Sequence, residues 1–469
     1  MSDENKKDGV VVAETEAPEN LKSKKQVTKE NKDLEESLKP KKASLADILK
    51  EKEEMKLKKE DDKMSVMLVE EQDRSVNIGV IGVGQCGSKI AEEFYKRDYP
   101  TVAINTAMQD LKYINVPENQ KLFLDFALGG AGKDLEVGRA AAEEYAEEIR
   151  AHIEEHMGDC DILMLATSGG GGSGSGSAET MIDIMSDLGK PISVIFVLPL
   201  TSEDAVSKHN AIQTLAKLAK LASTDVINSL MVVDNAKIEM MYPDLSMAQF
   251  WKTANQAIVE PLHLFNQLSA APSPYTSLDP MDFSRVFVGT GDCSLYGMVE
   301  IEDYTDEEAI AHAMVTTLES GLLAGGFDLK QTRAAGVIIT GPKRALEKIP
   351  AANLEYGFAM VNKVCSEGTR VFRGVYSTPT KDDKIRVYSF FSGLGLPDER
   401  VAELKEEAER HMETLKDKEE NRASAMNIDI GKTKTTSAAD RVYNKIKSKN
   451  SAMGKLTRNS KRVVDKRRR

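Results

Sequence analysis

Apolar residues in the middle of this chain follow two alternating spacings. Apolar runs at 76–81, 102–104, 121–125, 162–166, 192–198 and 230–233 have the length of strands buried on both faces. Most are followed by a stretch with apolar residues three or four apart, which predicts a helix lying against a sheet. Such stretches are Ile90, Ala91 and Phe94 after the first run, 139–156 after the third, and 203–221 after the fifth. Strand then helix, repeated, is the sequence form of an α/β domain with a parallel sheet. A longer periodic segment over 247–268 predicts a central helix. Beyond it, strands are expected over 285–288, 294–300, 336–340, 370–376 and 385–391, with helices over 307–323, 346–365 and 398–415. The expected fold is therefore α/β: a parallel-sheet domain over 75–268 that includes the central helix, a connection over 269–284, and a second, smaller α/β domain over 285–424.

The two ends break this pattern. Residues 1–74 are rich in Lys and Glu and poor in aromatics, a composition that cannot offset its ordering entropy, so a disordered charged extension is expected. Its one candidate element is a short helix over 44–58, with Ser44 as cap and Leu45, Ile48 and Leu49 as a narrow apolar stripe. The formal charge of −12 hides an asymmetry: between 431 and 469, fourteen Lys/Arg face Asp440 and Asp465. The tail, expected to be disordered over 425–469, thus carries about +12 and the rest about −24. No apolar run approaches the ~18 residues a membrane span needs, and charge from Asp3 onward leaves no signal-peptide core, so a cytoplasmic protein is expected. Cys86, Cys160, Cys293 and Cys365 are scattered without metal-ligand spacing and read as reduced thiols.

Glycine marks the candidate chemistry. Thr167-Ser-Gly-Gly-Gly-Gly-Ser-Gly-Ser-Gly176 joins a strand to a helix, and consecutive glycines let backbone N–H groups turn inward on a polyphosphate ahead of a helix N-terminus. Gly82-Val-Gly-Gln-Cys-Gly87 spells G-x-G-x-x-G between strand and helix. A nicotinamide site would want an acid at the end of the second strand, where Asn105-Thr106 stands instead, so a dehydrogenase is disfavoured. A third turn, Leu128-Gly-Gly-Ala-Gly-Lys133, and Asp234-Asn235 also follow strand ends, where open α/β sheets bind ligands. Trp251 and Asn255 stand four apart on one helix face, an indole to stack on a base and an amide to read a purine edge. The second region offers no catalytic Ser/His or Cys/His set.

With these segments placed, the sequence resembles the tubulin/FtsZ superfamily of polymerising GTPases over roughly 76–415. Gly82-Val-Gly-Gln-Cys-Gly-Ser88 is similar to the tubulin form of the first phosphate loop, Ala103-Ile-Asn-Thr106 to the second, Gly130-Ala-Gly-Lys-Asp-Leu-Glu-Val-Gly138 to the third, and Gly170-Gly-Gly-Ser-Gly-Ser-Gly176 to the signature loop. The resemblance implies nucleotide contacts from Gly84, Gln85, Cys86, Asn105, Ala131, Gly132, Lys133, Gly170, Gly171, Gly172, Ser173 and Gly174. It also implies a ribose contact from Glu203, guanine reading by Asn235 and Asn255, and packing of Trp251 on the base. Ser277-Leu-Asp-Pro-Met-Asp282 resembles the family's synergy loop, which completes the active site of the next subunit; Asp279 and Asp282 are then the catalytic candidates, orienting a water for attack on the γ-phosphate.

Several positions depart from the pattern. Ala107 replaces an acid after the second-loop Asn-Thr, Lys133 and Leu135 alter the third loop, and Ser207 stands where FtsZ carries an arginine. Gln256 replaces an acid after Asn255, and Ser277 the leading Asn of the synergy loop. The resemblance implies GTP/GDP with Mg²⁺, its ligands unassigned, and a head-to-tail homopolymer that hydrolyses GTP in trans. The basic tail over 431–469 looks most like those of plasmid and phage TubZ-type tubulins, which implies contact with DNA or a DNA-bound adaptor and a role in DNA positioning. The alternatives are an FtsZ-like division or cell-shape scaffold and a GTP-binding adaptor that does not cycle.

Overall fold

The computed structural model describes residues 74–306, 308–320 and 323–425; the N-terminal extension with its candidate helix, and the basic tail over 431–469, lie outside them. Strand β1 (Ile78–Val83) runs into helix α1 (Gly84–Tyr95), β2 (Thr101–Asn105) into α2 (Met108–Lys112), and β3 (Lys121–Phe123) leads to α3 (Leu135–Glu144) and α4 (Ala146–Met157). Then β4 (Ile162–Ser168) meets α5 (Gly172–Ser186), β5 (Ile192–Leu198) meets α6 (Ala205–Ser223), and β6 (Ser229–Asp234) meets α7 (Asn235–Met241). The central helix α8 (Met247–Ala270) and α9 (Pro280–Val288) follow. The remainder is β7 (Cys293–Ile301), α10 (Ala309–Ser320), β8 (Ala334–Gly341), α11 (Lys343–Leu346), α12 (Ala351–Val364), β9 (Arg370–Ser377), β10 (Ile385–Leu394) and α13 (Asp398–Ala425).

All ten strands join one sheet in the order β3-β2-β1-β4-β5-β6-β7-β10-β8-β9. β1 to β6 pair in parallel, their apolar runs covered on both faces; every residue of β5 is buried. β7 continues the sheet through two parallel pairs, Leu230 with Cys293 and Met231 with Ser294, before β10 reverses direction against both β7 and β8. The described residues belong to one compact unit, with the two α/β halves sharing that sheet. Strand order turns outward in both directions from β1 and β4, which makes the gap beyond their C-terminal ends the topological switch point where such sheets take ligands.

The central helix is fixed along its length. Asn266 accepts from the Val76 N–H at 3.0 Å and donates to the Val76 carbonyl at 2.8 Å, holding the chain just ahead of β1. On an adjacent face, its neighbour Phe265 stacks on Phe283 at 6.1 Å between ring centroids and meets Phe390 edge-on. Among the described residues no helix is long and apolar enough to cross a membrane.

Three expected elements are corrected. The strand expected over 285–288 is the second half of α9: Phe283, Val286 and Phe287 are buried at helical spacing, Pro280 takes the first turn, and Asp279 caps it by accepting from the Asp282 N–H at 2.8 Å. The single helix over 139–156 is two, broken at Tyr145 and begun early because the Asp134 carboxylate caps Glu136 and Val137. The helix over 346–365 begins only at Ala351, after Pro350.

Candidate functional site

A cleft of about 510 Å³ opens at the switch point between β1 and β4. Its floor is the first turn of α1, through Gly84, Gln85 and Cys86, and the loop and first turn of α5, through Gly170, Gly171, Gly172, Ser173 and Gly174. Neither helix has a side-chain cap, whereas α3, α6, α7 and α9 are capped by Asp134, Asp204, Asp234 and Asp279. The unpaired N–H groups of two helix starts thus face one space, which suits a polyphosphate.

Glycine is required where these loops touch. Gly84 has φ +75°, and a Cβ there would sit 3.1 Å from the Gly174 nitrogen. Gly172 donates its N–H to the Gly132 carbonyl at 2.7 Å, and its missing Cβ would fall 2.6 Å from that oxygen. The third loop is held from the other side as well: Thr106 Oγ1 accepts from the Ala131 N–H at 3.0 Å and shares a 2.6 Å hydrogen bond with Ser173 Oγ. Ala131 is therefore a buried tie behind the cleft, the one expected nucleotide contact absent from its lining.

Asn105, Gly132, Lys133, Glu203, Asn235, Trp251 and Asn255 line the same cleft. Trp251 is 42% exposed, so it is not a core residue, while Asn235 and Asn255 are buried beside it. Lys133 pairs with Asp204 Oδ2 at 2.5 Å and donates to Ser207 Oγ at 2.7 Å, which brings a cation to the position that Ser207 leaves neutral. Burial opposes the Asp204 charge, but these contacts hold its carboxyl below the usual range. Burial pushes the Cys86 thiol up to about 12, against a hydrogen bond from Ser168, so it stays protonated and serves as a neutral wall.

Sequence reasoning missed Asp110 and Lys89. Both line the cleft, and Asp110 Oδ2 accepts from the Asn105 amide at 3.2 Å. The acid absent at Ala107 is thus met one helical turn later. It also missed a buried charge network behind the base-side wall. Arg400 of α13 donates to Asp234 Oδ2 at 2.7 Å and to Glu407 Oε1 at 3.0 Å, and Glu407 pairs with Lys208 of α6 at 2.9 Å. Lys208, fully buried, donates to the Thr201 carbonyl at 2.7 Å, and Asp234 Oδ1 caps the Ala236 N–H at 3.1 Å. The C-terminal helix is thereby tied to the turn that presents Asn235 and to the loop that presents Glu203.

Asp279 and Asp282 stand outside this lining, at the N-terminus of α9. Asp282 lies 3.3 Å from Arg285, and partial burial with the neighbouring Asp279 carboxylate pushes it above the usual carboxylate range.

Residues 77–243 match the model of the Tubulin/FtsZ family GTPase domain, and residues 265–405 that of the Tubulin/FtsZ-like protein TubZ-like C-terminal domain. The chain is 27% identical over 325 residues to the tubulin-like protein CetZ of Pyrococcus furiosus, covering 67% of this chain and 84% of that one. It is 26% identical over 323 residues to cell division protein FtsZ 1 of Pyrococcus horikoshii, covering 68% and 81%. The crystal structure of a GTPγS-form protofilament of Bacillus thuringiensis serovar israelensis TubZ superposes with a TM-score of 0.68 at 20% identity, over 76% of this chain and 96% of that one. Two uncapped helix starts facing one cleft agree with the family that these matches name, and the chain belongs to the tubulin/FtsZ family, with a GTPase domain followed by a TubZ-like C-terminal domain.

Proposed function

We propose that this protein binds GTP in the cleft and hydrolyses it as it assembles head-to-tail into filaments, each active site completed by the neighbouring copy. The observation that carries this is a division of labour: the groups suited to hold a triphosphate converge on one cleft, and Asp279 and Asp282 lie outside its lining. In this reading Gly84 to Cys86, Gly170, Gly171, Ser173 and Gly174 donate N–H groups to the phosphates, Gly172 holds the third loop through Gly132, and Lys133 meets the γ-phosphate. Glu203 holds the ribose, Asn235 and Asn255 read guanine, and Trp251 covers the base. Asp282, with its raised pKa, is suited to accept a proton from the attacking water, with Asp279 beside it. Head-to-tail contacts are heterologous and do not close, so they extend into filaments.

Magnesium fits the donor set. The Asp110 carboxylate in the cleft is a hard oxygen ligand, assisted by Asn105. The ion would offset phosphate charge; the residues of this chain orient the nucleotide and exclude water around it.

The TubZ-like C-terminal domain and the basic tail favour DNA, directly or through an adaptor, as the cargo. The CetZ and FtsZ 1 relatives favour a second reading, a scaffold in cell shape or division. Light scattering with phosphate release, measured across protein concentration, tests the core of the proposal. GTP should raise scattering above a critical concentration, with turnover per molecule rising alongside it. Turnover independent of concentration, without scattering, would overturn assembly-linked hydrolysis.

A further inference from the structure

The sequence has six histidines, and two of them, His152 and His156, stand one turn apart on α4 with Glu155 between them. His-x-x-Glu-His is a spacing by which helices set two imidazoles on one face to hold zinc. Here one donor atom from each of His152, Glu155 and His156 lies within 4.8 Å of the other two, and the two ring centroids are 4.8 Å apart. Bonds of ~2.0–2.2 Å to a tetrahedral ion would draw the donors to ~3.4 Å apart, a movement that rotation of the exposed Glu155 and the half-buried rings can cover.

The hydrogen bonds around the rings point the same way. His156 Nε2 lies 2.6 Å from the Asn119 carbonyl. A carbonyl only accepts, so Nε2 carries the hydrogen and the neutral ring keeps its lone pair on Nδ1. Ligating histidines show this pattern, one nitrogen donating to a backbone carbonyl and the other free for metal. His152 Nε2 is buried and makes no hydrogen bond, a state that costs ~1–3 kcal/mol unless something occupies it. Glu155 and Glu148 supply negative potential beside it.

We propose that His152, Glu155 and His156 form a binding site for a divalent transition-metal ion of the zinc class, separate from the nucleotide cleft. Two imidazoles and one carboxylate suit zinc, nickel or copper(II), whereas magnesium and calcium prefer all-oxygen shells. The ion clips α4 to the turn Glu118–Gln120 that begins edge strand β3, because ligation polarises the rings and strengthens the bond from His156 to Asn119. The role is structural. No further His, Cys or acidic residue joins the cluster among the described residues. None of the four cysteines joins a candidate metal cluster among the described residues.

Equilibrium dialysis of zinc against the full-length protein at neutral pH tests the site, with GTP binding measured on the same samples to certify folding. The expected result is one zinc per chain with a dissociation constant of ~10 μM or tighter. His152→Gln and His156→Gln should each weaken it by at least ~10-fold, and zinc should raise the thermal midpoint of the wild type but not of these variants. Glu155→Gln, at an exposed position that leaves folding intact, should weaken zinc binding measurably. Wild-type binding weaker than ~100 μM, or unchanged affinity in the double histidine variant or in Glu155→Gln, would overturn the proposal.

Discussion

The two halves of the sheet handle their loops in opposite ways. From β1 to β6 the strands are parallel, so every strand ends on the same edge and the following turns meet in one cleft. From β7 onward the order is mixed, with β10 reversed between β7 and β8, and the candidate carboxylates sit on α9, the helix that leads into β7, outside the cleft lining. Parallel order concentrates backbone N–H groups, which suits holding a triphosphate. The carboxylates of α9 stand outside that cleft. On the proposed function, holding and attack belong to separate parts of the chain, and substitutions should separate them.

The largest effect is expected from Asp282→Ala. Turnover of assembled protein should fall by ~100- to 1,000-fold, the range for loss of a positioned base, while GTP affinity stays within about twofold. Binding by filtration and phosphate release by colorimetry measure the two separately. A parallel loss of affinity would break the comparison, since the carboxylate would then belong to the holding half.

Next is Arg400→Ala, which acts where the two halves are tied. It leaves Asp234 buried without its cation, while Glu407 keeps only Lys208, a loss of ~3 kcal/mol or more in urea unfolding. It should also raise the KM for GTP with kcat little changed, because Asn235 follows directly on Asp234. The same network sets an acid limit. Burial opposes the Glu407 charge, but Lys208 and Arg400 outweigh it and hold the carboxyl below the usual range. Its folded pKa is depressed, so its contribution is complete above the unfolded value of ~4.3 and is lost as pH falls through the folded one. Acid titration followed by circular dichroism should show Glu407→Gln less stable than wild type at neutral pH and the gap closing below pH ~4.

Gly172→Ala should cost less in stability but act squarely on holding. A Cβ at 2.6 Å from the Gly132 carbonyl forces the third loop away from the glycine loop, with GTP affinity falling ~10- to 50-fold and turnover recovering at saturating nucleotide. Unchanged affinity would show that the contact between these two loops is not needed to form the cleft.

These substitutions also mark what the sequence could disclose. The glycine turns were legible because no other residue fits a backbone approach such as Gly172 on Gly132, so the requirement is written in the residue itself. Spacing put Trp251 and Asn255 on one helix face, and both line the cleft, but their base-reading role came from the family resemblance. The α9 segment was not, because Arg285-Val-Phe-Val288 suits a strand as well as a helix, and the deciding signals, Asp279 and Pro280, lie upstream of the apolar run. The ties among Asp234, Lys208, Arg400 and Glu407 were invisible for another reason: these residues lie on three elements remote in sequence, and only the fold turns ordinary charges into a network. Asp110 was hidden by Ala107, since only the turn of α2 shows that a carboxylate one turn later reaches Asn105.

The smallest effect, and the sharpest on the holding half, is expected from Lys133→Ala. Its ion pair with Asp204 is exposed, 46% on one side chain and 54% on the other, so water and salt screen it and its loss should change stability by under ~1 kcal/mol. The same ammonium lies in the cleft, where a γ-phosphate would compete with Asp204 for it. The variant should therefore lose a few-fold preference for GTP over GDP, most clearly at low ionic strength, because exposed charge pairs fade as salt rises. Competition binding at two salt concentrations measures this. If stability fell by more than ~1 kcal/mol with the nucleotide preference untouched, Lys133 would join Arg400 as a structural tie, and the cation facing the phosphates would have to be sought at Lys89, the other lysine in the lining.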